Sequence, residues 1–388
     1  MENNKNMFSS LNRKFFEKFN QQPINIISPG RINLAGEHTD YNNGFVLPAT
    51  INKSMYFAMA ISPDSICRLY AEDLGEQVEI DLSKPIQKSN MSWVNYLLGS
   101  IDELKNTSHE LKAVNCIFKS EIPIGAGMSS SAALECGFIY GLNELFNLNL
   151  SKMQMATIGQ KVENNYIGLN SGIMDQFTCL HGKSDSFIKL DCQSMSFQYF
   201  PFRRKDVSIV LCDSTVSHNL AESEYNLRYK ECAEIVSFYQ QFFPEIKSLR
   251  DLSYDDFNQY EHQLTPKLRK RGNHVFADNL RVYAIAEMLF IDNLEVAGGI
   301  LNKSHESLSQ DYEVSCVELD FLVKQTEKIK GVLGSRMMGG GFGGCTINLV
   351  KNSYLNDFQV FMKRSYKQTF DKDLPIYVVE LTDGVRLA

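Results

Sequence analysis

No apolar run in these 388 residues approaches the roughly 20 needed to span a bilayer. The opening residues M-E-N-N-K-N-M-F-S-S also lack the apolar core of a secretory signal. Basic residues are in deficit, 39 Lys and Arg against 46 Asp and Glu, and the net charge of −7 argues against a nucleic-acid binder, which needs a basic excess to neutralise phosphates. Short clusters such as Arg203-Arg204-Lys205 and Lys267 to Arg271 therefore read as solvated faces. There is no C-x-x-C; the nine cysteines are odd in number, scattered and mostly inside apolar segments, where a free thiol behaves as a small hydrophobe. These absences together point to a reducing cytoplasm. No G-x-x-x-x-G-K-[ST] occurs, which disfavours a P-loop NTPase, and Trp93 is the only tryptophan. What remains is 44% apolar and 22% charged, an ordinary globular composition at a length that favours two domains.

The most informative stretch present is Pro123 to Glu135, P-I-G-A-G-M-S-S-S-A-A-L-E. It follows a β-branched segment, Ala113 to Ser120, and precedes a helical pattern over Ala132 to Phe146, so its order is strand, Gly/Ser loop, helix. Gly125 and Gly127 let a ligand approach the backbone closely, and Ser129, Ser130 and Ser131 gather hydroxyls and free N–H groups at the positive end of a helix. Such a site suits a phosphate.

A second cluster lies in S-P-G-R-I-N-L-A-G-E-H-T-D-Y-N-N-G-F-V-L-P, residues 28 to 48. Arg31, Glu37, His38 and Asp40 are expected on a Gly- and Asn-punctuated loop between two strands, Ile24 to Ile27 being the first. Singly, each reads as a surface turn residue. As a group they supply the donors and acceptors that a polyhydroxylated ligand needs.

The rest of the pattern frames these loops. Leu11, Phe15, Phe16 and Phe19 predict an N-terminal helix packed on the body, and segments 54–61, 65–71 and 77–81 predict a meander of antiparallel strands. A helix from Ser92 to about Leu104 begins with Trp93, whose indole either packs in the core or covers a purine. Ser151 and Gln154 form a capping box for a helix that runs to Gly168 and carries Glu163. Beyond it, L-N-S-G-I-M delivers Asp175, either an N-cap or a functional acid. Strands are expected at 186–190, 197–200 and 207–213, a long helix over Ser217 to Tyr239, and further helices over 245–330. In Arg336 to Cys345, R-M-M-G-G-G-F-G-G-C, Gly339, Gly341 and Gly344 spell a formal G-x-G-x-x-G, but ahead of a strand, which disfavours a Rossmann fingerprint and suggests a loop packed on a ligand or on another loop.

Together the three stretches resemble the motifs of the GHMP kinase superfamily and, within it, the galactokinase family; S-W-V-N-Y and G-I-M-D-Q extend the resemblance over most of residues 24 to 350. The resemblance implies an α+β, two-domain GHMP kinase fold with a mixed N-terminal sheet, an α+β second domain and an active site in the cleft between them. Domains are expected over residues 1–195 and 196–372, with Pro375 to Leu381, in the segment 373–388, returning to the first. It implies ATP, galactose and Mg²⁺ as ligands, and transfer of a phosphoryl group to the sugar C1 hydroxyl in galactose catabolism. By position, Gly125, Ala126, Gly127, Met128, Ser129, Ser130 and Ser131 would surround the phosphates and Trp93 the adenine. Ser131 or Ser130, with Glu163, would hold the metal. Glu37, His38, Asp40, Gly172 and Tyr225 would meet the sugar, and Asp175 and Arg31 would form the catalytic pair.

Two other readings share these motifs. An N-acetylgalactosamine kinase would differ at the sugar C2, although H-T-D-Y-N-N-G-F is closer to the galactokinases. A nonenzymatic sugar sensor can lose small residues from the phosphate loop, whereas Ser129 to Ala133 is complete. A monomer is favoured, with neither nucleic acid nor membrane as partner.

Overall fold

The computed structural model describes residues 2–107, 111–216 and 221–388. Alternation of side chains across one strand organises the first half of the chain. Pro48–Ile61 lies within a six-stranded sheet of order Arg386–Leu387, Ile24–Asn33, Pro48–Ile61, Val114–Ser120, Ile66–Ala71, Glu76–Asp81. Phe57 and Met59 face the main core, while Tyr56, Ala58 and Ala60 face a second cluster on the opposite side, the period-2 pattern of a strand buried on both faces. Phe8, Leu11 and Phe15 of the N-terminal helix Glu2–Phe19 fill that second cluster, whereas Phe16 is 48% exposed.

The main core face is covered by the helix Ser130–Phe146. A Cβ at Gly137 would stand 2.3 Å from the Phe57 ring and one at Gly141 2.4 Å from Met59 Sδ, so the helix lies directly on the sheet. The start of this helix follows directly on the Pro123 loop, which leaves the end of the interior strand Val114–Ser120. The expected meander is formed only in its second half, where Ile66–Ala71 and Glu76–Asp81 pair antiparallel. Val114–Ser120 inserts between Pro48–Ile61 and Ile66–Ala71, antiparallel to the first and parallel to the second, because chain order does not dictate strand order once a helical crossover intervenes.

The second half centres on an antiparallel sheet of order Val332–Met337, Cys345–Lys351, Val207–Asp213, Ile376–Val379. Around it stand the helices Ala221–Tyr239, Pro266–Phe290, Leu294–Gln310, Val317–Thr326 and Leu355–Phe370. Residues 217–220, at the expected start of the first of these, lie outside the described residues. The strand Ile376–Val379 stays with this sheet. The return to the first sheet is made later, by Leu381 bridging Ile51 and by Arg386–Leu387 pairing with Ile26 and Ile27. Position 195 falls in the turn between the paired strands Ser186–Asp191 and Phe197–Pro201, so a boundary there would cut a hairpin; a division after Pro201 is the one we propose. The two halves share the main core, in which Ile209, Leu211 and Ile347 join Ile26 and Phe57. Of the nine cysteines, none is disulfide-bonded and eight are buried.

Arg271 on the helix Pro266–Phe290 is 1% exposed. It donates to Glu231 at 2.7 Å, to Glu313 at 2.6 Å and to the Asp311 carbonyl, tying three segments of the second half together. Removing one partner of a buried pair strands the other charge. Arg271→Met is expected to lower stability by about 3 kcal/mol in urea unfolding, near the low end for such pairs, because Lys267 still reaches Glu231 at 2.9 Å. Lys267→Met, at the exposed end of the same cluster, should cost less than about 1 kcal/mol.

Candidate active site

Arg31 sits on the strand Ile24–Asn33 at a bulge after Pro29, not on the loop expected to carry it. The bulge turns its side chain inward, where it is 5% exposed. Its Nε and Nη2 donate to the two oxygens of Asp175, each at 2.7 Å, and Nη1 donates to the Gly127 carbonyl at 2.6 Å. The Arg31 backbone N–H adds a bond to the Met128 carbonyl at 3.1 Å. Burial works against the guanidinium charge, but Asp175 more than offsets it and the Arg31 pKa is raised. One side chain thus joins the strand, the phosphate loop and the acid.

Asp175 is the second residue of the helix Met174–His181, whose N-cap is Ile173, and it caps nothing. Its carboxylate takes the Arg31 fork and the Ser129 hydroxyl. Ser129, in the left-handed region at φ 55°, therefore turns its hydroxyl to the acid, which leaves its backbone N–H as its means of meeting a phosphate. Ala126 and Met128 are each 1% exposed; their side chains belong to the core, and only their backbone can line the loop. Gly125 and Gly127 have positive φ of 77° and 73°, and a Cβ at Gly125 would meet nothing within 4 Å, so the loop is open on its outer side. Its inner side rests on the second glycine loop, with Gly344 and Gly339 packed at Ala126 and Gly127. Of the two readings open for the M-G-G-G-F-G-G-C loop, contact with another loop is the one observed.

Glu163 lies on a π-helical turn, Val162–Ile167, that extends the helix Lys152–Lys161 and stops at Gly168 with φ 96°. Its carboxylate accepts from Ser131 Oγ at 3.4 Å and from Ser171 Oγ, is 4% exposed, and has no ion pair among the described residues. Burial, only partly countered by these hydroxyls, pushes its pKa up to about 7. Ser130, half-buried at the helix start, is not among the residues lining the pocket with them.

The sugar-loop acids are held differently. Glu37 Oε1 accepts from Arg336 Nη2 and from the Gly339 N–H, both at 2.8 Å. His38, at φ 61°, faces the Gly340 carbonyl through Nε2 at 3.1 Å and the Tyr41 hydroxyl through Nδ1 at 2.9 Å. A carbonyl only accepts, so Nε2 carries the proton and Nδ1 accepts from Tyr41. Burial, followed by the nearby His274, pushes the His38 pKa down to about 3 and keeps the ring neutral. Both ring nitrogens are thus engaged by the protein, and His38 meets the pocket with its ring. Asp40 is 8% exposed; burial and the charge of Asp175 push its pKa up to about 7. A Cβ at Gly172 would stand 2.1 Å from Asp40 Oδ2, so only glycine lets the two loops meet. The Tyr225 ring stands 5.1 Å from His38 and closes this end of the pocket.

The result is a pocket of about 190 Å³ that brings together Arg31, Glu37, His38, Asp40, Ser131, Glu163, Gly172, Asp175 and Tyr225. Leu169, Ser171, Met174, Gly339 and Gly340 complete its wall. Ser171 lies within the L-N-S-G-I-M loop, and Gly339 and Gly340 within the glycine segment that opens at Arg336; nothing in that segment's sequence gives Arg336 its part, which is to reach Glu37. Trp93 is not in this wall: its indole donates to Glu76 at 2.6 Å and packs edge-on to Phe118. A larger hollow of about 370 Å³ borders Lys18 and Arg68, but Arg68 is paired with Asp64 and Glu79 and no comparable set of acids faces it.

Residues 95–183 match the family of GHMP kinases N terminal domains, and residues 13–61 match the galactokinase galactose-binding signature. The chain is 39% identical to the galactokinase of Clostridium perfringens, over 97% of this chain and 98% of that protein. It is 37% identical to that of Roseiflexus sp., over 97% and 96%. The chain belongs to the galactokinase family. A crystal structure of Lactococcus lactis galactokinase complexed with galactose superposes with a TM-score of 0.94 at 37% identity, covering 98% of this chain and 100% of that one. A Methanococcus jannaschii mevalonate kinase, at 19% identity and a TM-score of 0.65, shares the fold with this galactokinase-family chain. The two-domain α+β GHMP kinase fold expected from the motifs is therefore the fold of the protein, and the family makes it a phosphotransferase.

The raised pKa of Asp40 has a measurable consequence. A carboxyl whose folded pKa lies above its unfolded value contributes stability that is full below the unfolded pKa of about 4 and is lost as pH rises through the folded value, about 7. His38 titrates with the opposite sign over part of this range, so the comparison must be between variants. The melting temperature of ligand-free Asp40→Asn should gain on that of the wild type as pH rises from 5 to 8. A difference independent of pH would show that Asp40 is not held protonated.

Proposed function

We propose that this chain phosphorylates the C1 hydroxyl of α-D-galactose with ATP, giving galactose 1-phosphate and ADP. The observation that carries this reading is the two-pronged contact of Arg31 with Asp175, placed between the phosphate loop and the Glu37, His38 and Asp40 loop. The acid stands where an acceptor hydroxyl entering from the sugar side would meet a phosphate entering from the glycine side. The chain covers nearly the whole length of its curated relatives, which are named as galactokinases.

In this reading Asp175 accepts the proton of the C1 hydroxyl as its oxygen bonds to the γ-phosphorus. The bond from that phosphorus to the β–γ bridging oxygen breaks, and ADP leaves with the electron pair. Arg31 holds the Asp175 carboxylate aimed at the hydroxyl, and its charge lies beside the oxygens on which negative charge grows. The N–H groups from Gly125 to Ser131 receive the phosphates at the start of the helix. Glu37 and Asp40 accept from, or share protons with, sugar hydroxyls, while Tyr225 and the ring of His38 form the face against which the sugar packs. Most of the acceleration in such a transfer comes from alignment and charge stabilisation, which is what these groups supply.

Ser131 and Glu163 fit a magnesium ion. They offer hard oxygen ligands side by side, and the buried Glu163 carboxylate has no cationic partner among the described residues. Among the described residues there is no cluster of three His, Cys, Asp or Glu suited to a metal, consistent with an ion that takes the rest of its shell from phosphates and water. When bound, the ion would neutralise phosphate charge. Nothing in the pocket wall replaces the assignment of Trp93 to adenine, which rests on the family resemblance alone. No helix among the described residues is long and apolar enough to cross a membrane.

Asp175→Ala should leave nucleotide binding, measured by calorimetry, within about twofold of wild type while galactose-dependent ADP release falls by about 10²-fold or more. Substantial turnover in that variant would remove Asp175 from the mechanism. The same ADP assay run across galactose, N-acetylgalactosamine, glucose and arabinose separates the alternatives. Galactose is expected to be the preferred acceptor, and absence of product with every sugar would favour a sensor.

A further inference from the structure

One contact of Asp175 has no part in the transfer described so far. Ser129 stands at the N-cap of the helix Ser130–Phe146, where a serine ordinarily turns its oxygen back to an N–H of the first turn. It makes no such cap bond, and at φ 55° its backbone lies in the left-handed region that a residue with a side chain seldom adopts. Its hydroxyl donates instead to Asp175 Oδ2, 46 residues further on. A forgone cap and an unfavourable backbone meet at one residue, and what they secure is a bond to the reacting acid.

The backbone around Ser129 is fixed from both sides. The Met128 carbonyl before it accepts from the Arg31 N–H at 3.1 Å, and a Cβ at Gly30 would stand 2.7 Å from that same oxygen, so loop and strand touch here with no side chain between. The Ser129 carbonyl accepts from the Ala133 N–H at 3.1 Å. On the acid, each carboxylate oxygen offers two lone pairs. Oδ2 accepts from Arg31 Nη2 at 2.7 Å and from Ser129 Oγ, so both of its lone pairs are taken. Oδ1 accepts from Arg31 Nε at 2.7 Å, and among the described residues it has no second donor. The Asp175 side chain is 25% exposed and lines the pocket. One lone pair of Oδ1 is left for an incoming hydroxyl.

We propose that Ser129 is a positioning residue: its hydroxyl fills Asp175 Oδ2 and so leaves Oδ1 as the oxygen that takes the proton of the acceptor hydroxyl. This rests on the reading of Asp175 as the proton acceptor. In this role the Ser129 hydroxyl touches neither sugar nor phosphate; the phosphates meet the backbone N–H groups of the loop. With the hydroxyl removed, Oδ2 regains a free lone pair, and a sugar hydroxyl can settle on it in a second orientation that is not in line with the phosphorus. Binding is then kept and turnover is lost.

The test measures kcat for galactose-dependent ADP release at saturating substrates, with ADP and galactose binding by calorimetry and the melting temperature on the same samples. Ser129→Gly removes the hydroxyl at a backbone angle that glycine adopts freely, whereas Ser129→Ala removes it and keeps the Cβ. Both should lower kcat about tenfold, less than loss of the acid because Arg31 still holds the carboxylate, while ADP and galactose binding stay within about twofold of wild type. If Ser129→Ala does not fold, Ser129→Gly decides alone. Wild-type kcat in either folded variant overturns the proposal. So does a fall in ADP affinity as large as the fall in kcat, since that would assign the hydroxyl to the phosphates. Wild-type turnover by Asp175→Ala would instead overturn the underlying reading of the acid.

Discussion

The site depends on one desolvated contact, the fork of Arg31 on Asp175. Bidentate guanidinium–carboxylate pairs are directional as well as strong, because both N–H bonds must lie in one plane. Here the third arm of the guanidinium is committed to the Gly127 carbonyl, so the plane is set by the backbone of the phosphate loop. The acid, the strand bulge and the loop cannot move independently. A lysine would satisfy the charge and lose the geometry.

Around that pair the pocket is rich in acids. Glu37, Asp40, Glu163 and Asp175 face a small volume in which the lining cation is Arg31. Arg336 lies behind Glu37, and its Nη2 donates to Glu37 and to the Asn33 carbonyl. Burial first, and then the charge of Asp175, push Asp40 and Glu163 both up to about 7. A site in this state favours a cation and hydroxyl donors. A divalent ion with a polyhydroxylated sugar supplies both.

Much of this was legible from residue order, because the decisive motifs are local. The strand, Gly/Ser loop and helix around Pro123, the capping box at Ser151 and the stop at Gly168 all depend on neighbours a few residues apart. The failures share the opposite property. Arg31 was misplaced on a loop because a bulge and its long pairing with Pro48–Ile61 are invisible in the strand itself. Only the second pair of the meander forms, because the insertion of Val114–Ser120 is a long-range choice; the expected return begins at Leu381, but its strand pairing falls at Arg386–Leu387, where two residues carry no periodicity. Asp175 stood evenly between cap and functional acid until Arg31, 144 residues away in sequence, was seen to claim both its oxygens. Arg336 reaches Glu37 across 299 residues, a role that its place at the head of the second glycine segment does not reveal.

The contrast between two buried acids shows how the second half of the protein completes the first. Asp278, on the helix Pro266–Phe290, accepts from the N–H groups of Gly36 and Glu37, from Ser304 and from Arg281. Burial pushes its pKa up, yet His274, Arg281 and Arg336 more than offset that and hold it below the usual value. Asp40, a few residues from the loop that Asp278 grips, is also buried and shifted the opposite way, because burial and then the charge of Asp175 outweigh the Tyr41 N–H and Arg31. The fold supplies Asp278 with its partners and leaves Asp40 short of them. Asp278 therefore anchors the sugar loop in an ionised, fully bonded state, and that anchorage allows Asp40 to be held in a position it would otherwise leave.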